Sequence, residues 1–146
     1  IERLSGPWCY IATAQAFDDE MRDRIRLHRE RRGGSWLTTE APLDLAGALD
    51  AMPDGVPVLV DCLTLWLSNQ MLADADIEAE CAVLADKLAR PRGPWFVVAN
   101  EVGLGIVPDN ALARRFRDEA GRLSQRVAAV ADRVLLMVAG LPMQVK

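Results

Sequence analysis

The chain has 146 residues, slightly over half of them hydrophobic, which suits one ordinary domain with a real core; 21 acidic against 17 basic side chains leave a formal charge of −4. That balance argues against a general nucleic-acid or polyanion surface. No apolar run approaches the roughly 18 to 20 residues of a membrane span, and the opening IERLSGP lacks the charged and apolar regions of a signal peptide, so a cytoplasmic protein is expected.

Short apolar runs alternate with helical stretches along the chain. Residues 8–14 (WCYIATA) are nearly continuous in apolar side chains, the pattern of a strand covered on both faces. A helix follows over 18–32, opened by Asp18 and Asp19, and a shorter one over 43–51. Residues 56–62 (VPVLVDC) repeat the strand pattern, and a helical stretch over 64–89 divides into two pieces. The runs 94–100 (PWFVVAN) and 132–140 (DRVLLMVAG) read as two more strands, separated by a long helix over 109–130. This order predicts an α/β sandwich with a mostly parallel sheet and right-handed crossovers, a single domain over 1–146. Cys9, Cys62 and Cys81 form neither a CxxC nor a paired framework and read as small core residues.

In such sheets ligands bind beyond the carboxyl ends of the strands. The first strand runs into Thr13, Ala14 and Gln15, and the second ends in Asp61, Cys62, Leu63 and Thr64. The third ends in Asn100, Glu101, Val102 and Gly103, and the fourth in Gly140. Small and polar segments there let backbone amides approach a ligand, although Gly103 and Gly105 serve equally well as turn punctuation. Asp61 ends an apolar run where nucleoside-triphosphate enzymes hold Mg²⁺, often through water; capping of a helix that begins near Thr64 is the competing reading.

Residues 21–32, MRDRIRLHRERR, gather six arginines and the only histidine, His28, on one helix of an otherwise acidic chain. Arginine grips phosphate with a planar fork of donors, so a nucleotide is the expected local partner. A solvated face neutralised by Asp23, Glu30 and neighbouring acids is the alternative. His28 follows Met21 and Ile25 on one helical stripe and is expected partly under cover, with Arg24 a turn before it and Arg32 a turn after. Flanking positive charge favours a neutral, nucleophilic imidazole suited to attack on an α-phosphorus. A merely packed or exposed histidine is the competing reading.

The strings YIATAQAFDDEM, RIRLHRERRGGSW with its following TTE, LVDCLTLWLSN and NEVGLGIVPDNALARRFRDEAGRLSQRVAAVADRV resemble the bifunctional adenosylcobinamide kinase / adenosylcobinamide-phosphate guanylyltransferase family of cobalamin biosynthesis, over nearly the whole chain. The resemblance implies a P-loop, RecA-like α/β fold with helices on both faces of the sheet, assembled as a homo-oligomer, with a trimer as a candidate. It implies an enzyme that phosphorylates adenosylcobinamide with GTP or ATP and Mg²⁺, then attaches GMP through a GMP-histidine. His28 is the residue that matches this nucleophile. By motif, Ala12, Thr13, Ala14, Arg29, Glu30, Arg31, Arg32, Glu40 and Asp61 would hold the nucleotide, with Asp61 on the metal. Glu40, as an acceptor for guanine N1 and N2, would set a preference for GTP.

The family's first strand and its G-x-x-x-x-G-K-[ST] loop are expected to precede Ile1. No such string occurs in these residues, so the first strand and P-loop are absent from this chain, which reads as N-terminally incomplete. The segment from Asn100 to Arg115 is assigned to the corrinoid, with Glu101 as base or acceptor for the aminopropanol hydroxyl and a helix cap at Asp109 or Asn110; a turn that only reverses the chain is the alternative. Two other classes remain: a phosphate-binding module that has lost catalysis, and an RNA-binding domain, disfavoured by the acidic charge and sparse aromatics.

Overall fold

The computed structural model describes residues 1–16 and 18–146, with the side chain of Arg31 outside the described part. β1 (Trp8–Ala12), β2 (Trp36–Glu40), β3 (Val58–Asp61) and β4 (Trp95–Val98) pair as one parallel sheet in the order β2-β1-β3-β4. The helices are α1 (Asp19–Arg31), α2 (Leu45–Asp50), α3 (Leu63–Leu72), α4 (Ile77–Leu88) and α5 (Ala111–Val130). The parallel α/β architecture expected from the sequence is therefore present, including the division of the 64–89 stretch into α3 and α4.

Short polar side chains start the helices where the chain places them. Asp18 accepts from the Met21 N–H at 2.7 Å, Asp76 from Ala79 at 3.1 Å, and Asn110 from Ala113 at 2.7 Å, each satisfying a donor that the first turn cannot use. The segment WLTTE was not expected as a strand. It forms β2 at the sheet edge, and its mixture of exposed and half-buried residues lacks the continuous apolar run of a central strand.

Parallel register puts Cys9, Ile11, Val58 and Val60 on one face, flanked by Trp95 and Val97. Leu45, Leu49, Trp66, Leu67, Leu84, Leu88 and Leu123 from α2 to α5 close over that face as the core. All three cysteines are buried and free, as expected. The other face carries Trp8, Tyr10, Leu59, Asp61 and Phe96. The chain leaves β1 towards β2 but later adds β3 on the opposite side, so right-handed crossovers set α1 on this second face. Consistent with this, Arg32, at the end of α1, lies over the Tyr10 ring. The carboxyl ends of β1 and β3 flank the point where the strand order reverses.

The run 132–140 departs from expectation. It supplies β5 (Leu135–Val138), which stays out of the parallel sheet and pairs antiparallel with β6 (Leu141–Gln144). Ala139 and Gly140 turn the chain with φ of 51° and 77°, the positive values that a tight two-residue hairpin requires. Apolar composition specified a strand here, but a local turn specified its partner.

Candidate functional site

Thr13, just past β1, is fully buried. Its N–H donates to the Asp61 carbonyl at 3.1 Å, its hydroxyl donates to the Cys62 carbonyl at 2.7 Å and accepts from the Cys62 N–H at 2.8 Å, and its carbonyl accepts from Asn69 at 2.8 Å. Every polar group of Thr13 is thus engaged in tying β1 to the end of β3 and to α3. Its neighbours Ala12 and Ala14 have the small side chains that leave the strand end open.

Beside this bolt lies a cavity of about 550 Å³, of a size suited to a nucleotide. Ala14 and Gln15 line it from the β1–α1 loop; Arg22, Arg26, Arg29 and Glu30 line it from α1; Glu40 lines it from the end of β2. The fold therefore brings together Ala14, Arg29, Glu30 and Glu40, four of the residues singled out in the sequence. Arg29 donates to the Glu40 carboxylate across the cavity wall.

The other arginines of α1 largely face acids on their own helix. Arg22 pairs with Asp19 at 2.5 Å, Arg24 with Glu20 at 3.5 Å, and Arg26 with Glu30 at 2.9 Å and Asp23 at 3.4 Å. The neutralised-face reading therefore describes these pairs. Exposed ion pairs of this kind contribute little and exchange readily for a better anion. His28 is exposed rather than partly covered, and it does not line the cavity. Arg22, Arg26 and Arg29 form the cavity stripe, and His28 points roughly a third of a turn away from it. Its expected cover is missing because α1 packs lightly, with Met21 and Ile25 themselves only half-buried. The Arg31 side chain lies outside the described residues.

A second group forms around Tyr10. Its hydroxyl donates to Asp61 Oδ2 at 2.5 Å, and the Arg32 guanidinium sits 3.5 Å above its ring centroid. Burial first, then the bond to Asp61, raises the phenol well above its ordinary range. Trp36 meets Tyr10 edge-on at 6.2 Å, and Trp8 lies 5.6 Å from Trp36. Arg32 Nε is buried without a hydrogen-bond partner among the described residues. Sequence reasoning missed Tyr10. The available signal was the chain's single tyrosine set in an otherwise apolar strand.

Asp61 is not a helix cap: the N-cap of α3 is Cys62, which makes no side-chain cap bond. Among the described residues no group of three or more His, Cys, Asp or Glu side chains could hold a metal. With Oδ2 taken by Tyr10, Asp61 has Oδ1 left to offer. A single carboxylate oxygen fits Mg²⁺, which completes its shell with water and phosphate oxygens.

Asn100 and Glu101 lie apart from the cavity. The Asn100 N–H donates to Thr64 Oγ1 at 2.7 Å, and Glu101 accepts from the Gly103 N–H at 2.8 Å, closing its own turn. A Cβ on Gly103 would meet Glu101 Oε1 at 2.9 Å, so glycine fits this turn best. Beyond it Leu104, Ile106 and Val107 project into solvent.

The family model of cobinamide kinase / cobinamide phosphate guanyltransferase matches residues 1–145. The bifunctional adenosylcobalamin biosynthesis protein CobP of Pseudomonas aeruginosa is 49% identical over 140 residues, which cover 94% of this chain and 81% of that protein. The bifunctional CobU proteins of Salmonella typhimurium and Escherichia coli are 39% and 40% identical over 154 aligned positions, covering 94% of this chain and 84% of each relative. No helix among the described residues is long and apolar enough to cross a membrane.

Proposed function

This chain belongs to the cobinamide kinase / cobinamide phosphate guanyltransferase family, bifunctional transferases of cobalamin biosynthesis, and from that premise we propose that its guanylyl transfer runs through His28 with the nucleotide seated at the cavity beneath α1. The observation that carries this reading is the convergence of Ala14, Arg29, Glu30 and Glu40 on one nucleotide-sized cavity, along the helix that bears the only histidine.

In this reading the base lies in the cavity and the phosphates run from it to the exposed side of α1. There an imidazole nitrogen of His28, a third of a turn from the cavity stripe, forms a bond to the α-phosphorus of GTP while the α–β bridging bond breaks and pyrophosphate leaves. The phosphate of adenosylcobinamide phosphate then attacks the same phosphorus and frees the histidine, giving adenosylcobinamide-GDP. Arg29 and Arg32, with Arg31 by motif, supply positive charge next to the nucleophile. Glu40 accepts from guanine N1 and N2 once the base displaces its contact with Arg29, giving preference for GTP. Ala12, Thr13 and Ala14 shape the strand end against the nucleotide, Thr13 by holding it and the alanines by leaving room. Asp61 would hold Mg²⁺ through its remaining oxygen, and the ion when bound would neutralise charge on the phosphate oxygens. Asn100 and Glu101, set apart from the cavity, are assigned to the corrinoid. The same reading places the enzyme in the cytoplasm, beside its nucleotide substrates, as a homo-oligomer.

The protein given α-labelled GTP and Mg²⁺ is expected to acquire an acid-labile, alkali-stable GMP adduct that His28→Ala abolishes. Retention of the label in that variant would overturn the assignment. His28→Asn is expected to leave phosphorylation of the cobinamide hydroxyl largely intact.

A further inference from the structure

The Arg32–Tyr10–Asp61 stack joins two parts of the proposed site that the sequence keeps far apart. Asp61 ends β3, Arg32 follows α1, and Tyr10 lies between them on β1. In the parallel register Tyr10 faces the same side as Ala12 and Asp61, which places its hydroxyl 2.5 Å from Asp61 Oδ2. The opposite side of the interaction is the ring: Arg32 covers it at 3.5 Å, while Trp36 closes one edge. Among the described residues the hydroxyl of this tyrosine, 7% exposed, donates to one acceptor, a carboxylate at the switch point of the sheet.

We propose that Tyr10 is a positioning residue: its hydroxyl holds Asp61 in one orientation towards the nucleotide's metal–phosphate group, and its ring seats Arg32, so that the C-terminal end of the His28 helix is registered against the same carboxylate. The inference rests on the nucleotide reading of the site and adds to it the residue that links its two halves. The Tyr10 ring is held on its strand between Arg32 and Trp36, and packing of that kind fixes the rotamer through which its hydroxyl orients the carboxylate. The hydroxyl and the ring have separable roles, and two substitutions separate them.

The test is a double-substitution cycle read in binding, with the α,β-methylene analogue of GTP and Mg²⁺, which cannot label His28. Tyr10→Phe keeps the ring and the Arg32 seat but releases Asp61. It is expected to weaken binding by roughly ten- to a hundredfold, the range for a hydrogen bond to a charged group, with little change in thermal stability. Asp61→Asn is expected to weaken binding comparably, and Tyr10→Phe added to it should cost nothing further. Unchanged binding in Tyr10→Phe, or losses that multiply in the double variant, would overturn the proposal. Tyr10→Leu, which removes the seat as well, is expected to slow GMP labelling of His28 beyond the Phe variant; equal rates would overturn the role of the ring. A coupled cycle with label still present in His28→Ala would instead sink the covalent mechanism and leave the positioning role standing.

Discussion

Thr13 shows how one hydroxyl can decide the shape of a strand end. Its side chain answers both the N–H and the carbonyl of Cys62 in a fully buried setting, so neither group finds water if the hydroxyl is lost. Thr13→Val keeps the volume and strands both groups; it is expected to destabilise the fold by about 1–3 kcal/mol in urea unfolding, while Thr13→Ser stays near wild type. Equal stability of the Val and wild-type proteins would show that the bolt is dispensable. From the sequence this residue read as a small polar contact for the nucleotide, because spacing places a residue at a strand end without saying which neighbour takes its hydrogen bonds. Asp61 carries the same lesson. Its position was legible, but its bond to Tyr10 spans 51 residues and was not.

At the scale of elements, α4 and α5 bury Cys81 between them, with Arg126 of α5 paired to Glu78 of α4 nearby. Burial pushes the Cys81 thiol up to about 11 from its ordinary value of 9.0. The native state therefore keeps this proton while the unfolded chain releases it, so stability is full below pH about 9 and falls as pH rises from there towards 11. Urea unfolding at pH 8 and at pH 10.5 is expected to show an alkaline loss that Cys81→Ala reduces. The same loss in both proteins would place its origin elsewhere. The amphipathic helices themselves were readable, because a cap such as Asn110 precedes an apolar stripe that repeats at fixed spacing. β2 was not readable, since an edge strand needs no continuous apolar run.

Across the whole molecule, apolar surface is left on two edges of the fold. Phe96 and Val98 on the edge strand β4 are 40% and 38% exposed, and Leu135, Met137, Leu141 and Met143 of the β5–β6 hairpin are exposed as well. Open edges and apolar patches are where chains associate. Light scattering coupled to size exclusion is therefore expected to give a mass that is a multiple of 16.1 kDa, and a mass equal to that of one chain would contradict the homo-oligomer. What the sequence determined by itself was whatever depends on neighbours along the chain. Apolar continuity specified strands, side-chain caps such as Asp18 and Asn110 specified where their helices begin, and local motifs specified the family and an arginine-rich helix that carries the only histidine. Tertiary structure alone decided the strand partners, because β5 could satisfy its backbone either in the sheet or in a hairpin, and a two-residue turn settled it. It also decided that His28 faces away from the cavity and that Tyr10 joins Arg32 to Asp61, since both depend on how α1 lies against the sheet, a packing choice made between residues far apart in the chain.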